Sequence, residues 1–286
     1  IRAQQAGEWG PFQQVLAGLD TALHDMAARR AGLSLARYLN PSAEEAVPCY
    51  ASGIASSKAA AQVASARADG FSAFKIKVGF NDVTDLETLG AVSDDLGSGE
   101  RLFADANQAW DVPRAVAFMQ QADAFGLGWI EEPIPADSPR SDWASLADNI
   151  KTPIAVGENI AGDVAFTQAI EAGHFAYLQP DVAKWGGVTG CLRVARTALQ
   201  AGRIYCPHFL GGGIGLRASA HVLAAAGGPG VLEVDVNPNP MRDAFEGEAM
   251  SGGDWTLGTA AGLGIETLPQ ALGPYQTLSL EKTRVS

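Results

Sequence analysis

Apolar residues gather in short dense runs along the chain, separated by longer stretches in which they recur every three or four positions. The dense runs VPCYASGI (47–54), FKIKV, RLFADA, GWIEEP, IAVGEN, AYLQPD, IYCPHF and VLEVDV read as eight strands. The segments 58–69, 112–124, 162–172, 188–201 and 213–226 between them read as helices. Strand and helix alternate with little room for hairpins, which predicts parallel strands joined by crossovers. Eight such units fit a TIM-type (β/α) barrel better than an open doubly wound sheet. No GxGxxG follows the first strand, and GGGIG (211–215) follows a late one, so a dinucleotide site is not expected.

Ahead of the barrel, Leu16, Leu19, Leu23 and Met26 recur at helical spacing and Gly32 offers a stop. Beyond Glu233 the chain turns rich in Pro, Gly and Asn, and the tail WTLGTAAGLGIETLPQAL is expected to fold back over the rest. The expected division is 1–46, 47–240 for the barrel, and 241–286.

The ends of the predicted strands carry the chemistry. They give Lys75 and Lys77, Asp105 and Asn107, Glu131 and Glu132, Glu158 and Asn159, Asp181, His208, and Glu233. From Lys77 onward the leading groups are 28, 26, 27, 23, 27 and 25 residues apart, about one βα unit each. A barrel gathers all strand C-termini on one rim, so these groups should meet at one mouth.

Three carboxylates on successive strands, Asp105, Glu131 and Glu158, repel one another unless a cation lies among them. An all-oxygen set suits a hard ion, Mg²⁺ first and Mn²⁺ second, rather than zinc. A nearby cation and the neighbouring Lys75 both favour a neutral amine at Lys77, which fits it to serve as a base. Asp181, one strand before His208, is placed to fix the imidazole tautomer. Two bases on opposite faces of a carboxylate substrate can exchange its α-proton while the metal stabilises the enolate.

The ordered set FKIKVG, ADANQAW, WIEEP, VGEN, PDVAKWGG, PHF and LEVDV resembles the enolase superfamily, and within it the mandelate racemase subgroup. Use of a Lys or His base with Mg²⁺ is a general property of that superfamily. The resemblance covers about 20 to 286. It implies Asp105, Glu131 and Glu158 as Mg²⁺ ligands, Lys77 as one base, and His208, paired with Asp181, as the other. It implies Lys75 and Glu233 as contacts to the substrate carboxylate, with Asn107 and Glu132 close behind. A muconate-lactonizing member carries a basic lysine where Asp181 stands. Lys184 matches a lysine of both subgroups and does not restore that alternative. The resemblance also implies an N-terminal α+β capping domain, of which only a final helix near 15–39 is expected here.

The implied activity is dehydration of an acid sugar. Racemisation or epimerisation of a 2-hydroxy acid is the alternative, and a non-catalytic anion-binding barrel is a second one. Relatives imply a homo-oligomer.

Composition narrows the partners. Of 286 residues 47% are hydrophobic, enough for a sizeable core, and the formal net charge is −12. So acidic a chain lacks the basic stripe a nucleic-acid surface needs. No apolar run is long enough to span a membrane. Three scattered cysteines form neither a disulfide framework nor a metal cluster, which points to the cytoplasm. His24 and His221 read as packing or surface residues and His174 as a helix C-cap. Trp110 and Trp185 either line the mouth or pack.

Overall fold

The structure is a computed structural model that describes residues 9–245, 250–251 and 253–277. The remainder of the expected 1–46 and 241–286 segments lies outside the described residues.

Helix α1 (Trp9–Arg30) and the short α2 (Leu35–Leu39) precede β1 (Ala46–Ala55). Then come α3 (Ala59–Ala68), β2 (Ala73–Lys77), α4 (Asp82–Asp95), β3 (Arg101–Asp105), α5 (Val112–Ala122) and β4 (Ile130–Glu131). They are followed by α6 (Arg140–Asn149), β5 (Ile154–Val156), α7 (Asp163–Ala172), β6 (Phe175–Leu178), α8 (Gly187–Gln200) and β7 (Ile204–Tyr205). Last come α9 (Gly213–Ala226), β8 (Leu232–Asp235), α10 (Pro240–Asp243), β9 (Met250–Ser251) and β10 (Asp254–Thr256).

Strand β8 pairs with β1, and the ladder then runs β1 to β7 in sequence order, every pair parallel. Helix starts are set by local chemistry. The Asn81 side chain accepts from Val83 N and Thr84 N at the head of α4, and Asp111 accepts from Arg114 N at the head of α5. No helix among the described residues is long and apolar enough to cross a membrane.

Strands buried on both faces sort their residues by parity. On β2, Phe74 and Ile76 join the core between strands and helices, while Ala73 points inward. The inward apolar residues are Tyr50, Ala73, Phe103, Trp129, Ala155, Cys206 and Val231, with Tyr177 packed against them. They form one cluster drawn from all eight parallel strands or the residues flanking them, so the sheet curls upon itself. An open doubly wound sheet has no such interior. Phe103 stacks on Trp129 at 3.6 Å, and Tyr50 meets both rings edge-on. At the β7–β8 seam Val231 N approaches Cys206 Sγ at 3.4 Å. There a Cβ on Gly230 would lie 1.9 Å from Tyr205 O.

The tail lies back on the body. Strand β10 pairs antiparallel with the start of β1, matching Val47 with Trp255. Leu263 N donates to Asp25 on α1.

Helix α1 carries a correction. Its stripe of Leu16, Leu19, Leu23 and Met26 is exposed, and the buried positions are Ala17, Thr21 and Ala28. The small face approaches the start of α8, where a Cβ on Gly187 (φ +56°) would lie 2.5 Å from Asp20 Oδ2 and 2.9 Å from Ala17 O. Asp20 in turn accepts from Thr189 N at 2.9 Å. Close helix approach thus selects small residues, not the large apolar ones.

Candidate active site

The same parity builds the site. Two residues beyond each inward apolar residue lie Ser52, Lys75, Asp105, Glu131, Gly157, Gln179, His208 and Glu233. An apolar floor therefore carries a polar layer directly above it. At Gly157 (φ +152°) a Cβ would come within 2.5 Å of the Gln179 backbone, so this member has no side chain.

Lys75 is fully buried at the centre of this layer. Its Nζ lies 2.7 Å from Glu131 Oε2, 2.7 Å from Glu233 Oε1 and 3.5 Å from Asp105 Oδ2. The Tyr50 ring centroid is 5.4 Å away. Burial opposes the charged amine, and Glu131 and Glu233 outweigh it, raising the Lys75 pKa. Glu233 also accepts from Ser52 Oγ at 2.5 Å and from Phe209 N at 2.9 Å. Burial works against its ionised form, but Lys75 and His208 hold it below the usual carboxylate range.

Lys77 stands one layer higher and is partly exposed. It donates to Asp105 Oδ2 at 2.5 Å and to Asn107 Oδ1 at 2.7 Å. Asn107, Gln108 and Glu132 adopt positive φ of 44°, 65° and 40°, an uncommon backbone for such side chains. That conformation turns Asn107 back onto Lys77.

On the far side, His208 Nδ1 lies 2.7 Å from Asp181 Oδ2 and Nε2 lies 2.6 Å from Glu158 Oε2. Burial disfavours the imidazolium, but Glu233, Asp181 and Glu158 overcome it and push the pKa up to about 10. Glu158 loses solvation too, yet His208 and Lys184 hold it well below the usual range. Asn159 Nδ2 bridges Glu158 Oε1 and Glu132 Oε2 at 3.0 and 2.7 Å.

Asp105, Glu131 and Glu158 thus share one region, Lys77 holding the first and His208 the last. They do not close on a single point. Among the described residues no three Asp, Glu, His or Cys side chains stand close enough together to hold an ion. Each carboxylate is instead engaged by a cationic neighbour: Lys75 lies against Asp105 and Glu131, Lys77 against Asp105, and His208 and Lys184 against Glu158. The donor chemistry still fits a hard divalent ion. Glu131 Oε1, Glu132 Oε1 and Gln179 Oε1 are buried with no hydrogen-bond partner. Burial and the adjacent Asp105 push Glu131 up to about 8, with Lys75 opposing.

Comparison with known proteins fits this arrangement. The family model described as enolase C-terminal domain-like matches residues 58–271. The chain belongs to this family, within the enolase superfamily. A mandelate racemase/muconate lactonizing enzyme from Bordetella bronchiseptica is 47% identical, with a TM-score of 0.90 over 94% of this chain and 76% of that one. The D-galactarolactone cycloisomerase of Agrobacterium fabrum is 32% identical over 94% of this chain and 76% of its own length. The L-talarate dehydratase of Polaromonas, solved with Mg and L-glucarate, is 30% identical at a TM-score of 0.82, over 93% of this chain and 73% of its own. These superfamily relatives are named as a dehydratase, a cycloisomerase and a racemase, and the chain is an enzyme of that kind.

Other residues fall into plainer places. Trp110 packs on Phe118 and Trp185 on Phe166, both buried. His221 is buried and accepts from Ala36 N at 3.1 Å, and His24 meets Thr189 at the surface. The C-cap of α7 is Gly173 in the left-handed region rather than His174. GGGIG starts α9, with Phe209 and Phe245 packed over its glycines. Sequence reasoning missed Ser52 and Gln179, whose signal was their parity with Tyr50 and Tyr177. It also missed Gln13 and Gln14, which line a cavity beside Glu158 and had no signal.

Proposed function

We propose that this enzyme removes the α-proton of a small hydroxy-carboxylate and dehydrates an acid sugar. The observation that carries the proposal is the order of groups across the mouth: Lys77 on Asp105 at one end of the carboxylate row, His208 on Glu158 at the other. Asp105, Glu131 and Glu158 would hold Mg²⁺, with Mn²⁺ as substitute. Bound there, the ion supplies stabilisation of the charge that builds on the substrate carboxylate as its α-proton leaves.

The chain's own residues then divide the work. Lys77 takes the proton from Cα, with Asn107 and Asp105 fixing its amine. Lys75 and Glu233 form the charged floor beneath the substrate carboxylate. His208, oriented by Asp181, donates a proton to the hydroxyl on Cβ. The Cα–H electron pair becomes the new double bond, the Cβ–O bond breaks and water leaves. The resulting enol tautomerises to a 2-keto-3-deoxy acid.

The breadth of the match to the cycloisomerase favours one second reading, in which the group expelled is a ring oxygen instead of hydroxide. Reprotonation on the opposite face, giving an epimer, is the alternative when no leaving group stands on Cβ. The proposal further includes a closed (β/α)₈ barrel, α1 as the last helix of a capping domain, a homo-oligomeric assembly and a cytoplasmic setting. The test is to incubate the full chain with Mg²⁺ and a panel of aldonates and aldarates, and follow products by mass spectrometry. Loss of water supports dehydration. An unchanged mass with inverted or ring-opened product supports the other readings. No change in any acid argues for a non-catalytic anion-binding role.

A further inference from the structure

A cavity of about 720 Å³ opens directly over Glu158, between the β5 and β6 rims and α1. Glu158, Asn159, Lys184 and Trp185 line one wall, and Gln13 and Gln14 of α1 line the other. We propose that Lys184 receives the distal carboxylate of a diacid substrate there, so that the site selects aldarates over aldonates. The inference rests on the acid-sugar reading above and names its substrate class.

Charge favours such a group. Asp105, Glu131, Glu132, Glu158, Asp181 and Glu233 make the mouth acidic, and a second carboxylate entering it is repelled unless a cation meets it. Lys75 is fully buried and Lys77 is bonded to Asp105. Lys184 is the cation lining the cavity among the described residues, with its side chain 40% exposed. Its Nζ lies 3.4 Å from Glu158 Oε1, longer than a strong charge-assisted bond, and an ammonium has three protons to give. Gln13 and Gln14 line the same space, and their amides are of a kind that suits sugar hydroxyls.

Geometry ties this cation to the chemistry. Asp181 Oδ1 accepts from the backbone N–H of Lys184 at 3.0 Å and of Ala183 at 2.7 Å. Its other oxygen, Oδ2, holds His208 at 2.7 Å. One carboxylate therefore fixes both the imidazole and the backbone that carries Lys184, and the span between them sets the length of acid accepted.

The test compares galactarate with galactonate, which differ at the distal end, binding to the full chain in saturating Mg²⁺ by calorimetry. Wild type should bind galactarate at least tenfold more tightly. Lys184→Gln should erase most of that preference and Lys184→Arg should restore it. Where turnover occurs, the kcat/KM ratio of the two acids should shift in parallel. Equal weakening of both acids, weaker Mg²⁺ binding with the preference intact, or no preference in wild type would overturn the assignment. A preference that survives while neither acid exchanges its α-proton in D₂O would support the subsite and sink the proposed reaction instead.

Discussion

His208 Nε2 and Glu158 Oε2 lie 2.6 Å apart. A group proposed as an acid–base catalyst is therefore held by a carboxylate proposed as a Mg²⁺ ligand. Imidazolium and a metal bound there would compete for the same oxygen. Removing the competitor should tighten Mg²⁺ binding, so His208→Asn should lower the Mg²⁺ Kd by roughly fivefold or more. Calorimetric titration checks this. An unchanged or raised Kd would show that Glu158 is no ligand.

Mg²⁺ should also stabilise the fold by mass action, by about 2.7 kcal/mol at a hundred times its Kd. Thermal melts with Mg²⁺ and with chelator would show the shift. Asp105→Asn, Glu131→Gln and Glu158→Gln should each shrink it.

Lys75, fully buried, lies against three carboxylates. Lys75→Met leaves them uncompensated and should cost about 3–5 kcal/mol in urea denaturation without divalent metal. A cost near zero would mean the acids are protonated and the buried amine dispensable.

Much of the site was legible because one feature, a polar group at each strand end, repeats with the βα period. Asp181 and His208 meet as their spacing on successive strands suggested. What stayed hidden follows from physics that spacing does not encode. Ser52 and Gln179 point inward by parity, yet a serine or a glutamine carries no charge to attract notice. On α1 the helical period marked Leu16, Leu19, Leu23 and Met26, but a period cannot say which face packs. The close approach at Gly187 puts Ala17 and Asp20 against α8 instead. Nor could strand order reveal that Lys75 and His208 would claim the carboxylates proposed for Mg²⁺.

His221 offers a pH test far from the mouth. Burial and then Arg217 lower its pKa from 6.5 to about 4, with Asp25 opposing. The folded state keeps it neutral, so between these values the unfolded chain binds the extra proton. Its contribution is fully present above pH 6.5 and is lost as pH falls to about 4. The loss should be on the order of 3 kcal/mol. Urea midpoints of wild type and His221→Gln should converge as pH drops through this window. A gap constant with pH would contradict it.

Gly157→Ala should cost about 1–3 kcal/mol, because the new methyl meets the Gln179 backbone at a φ of +152°. It should also weaken turnover by shifting the Gln179 amide, which donates to Glu131 Oε2 at 2.8 Å. Denaturant melts and initial rates of the variant report the two effects separately.

The most direct measurement is α-proton exchange in D₂O, followed by NMR on an acid sugar that the full chain accepts in the presence of Mg²⁺. Lys77→Ala should abolish exchange at Cα. His208→Asn should leave exchange detectable but stop the loss of water. Exchange at the wild-type rate in Lys77→Ala would contradict the assignment of Lys77 as the group that takes the proton.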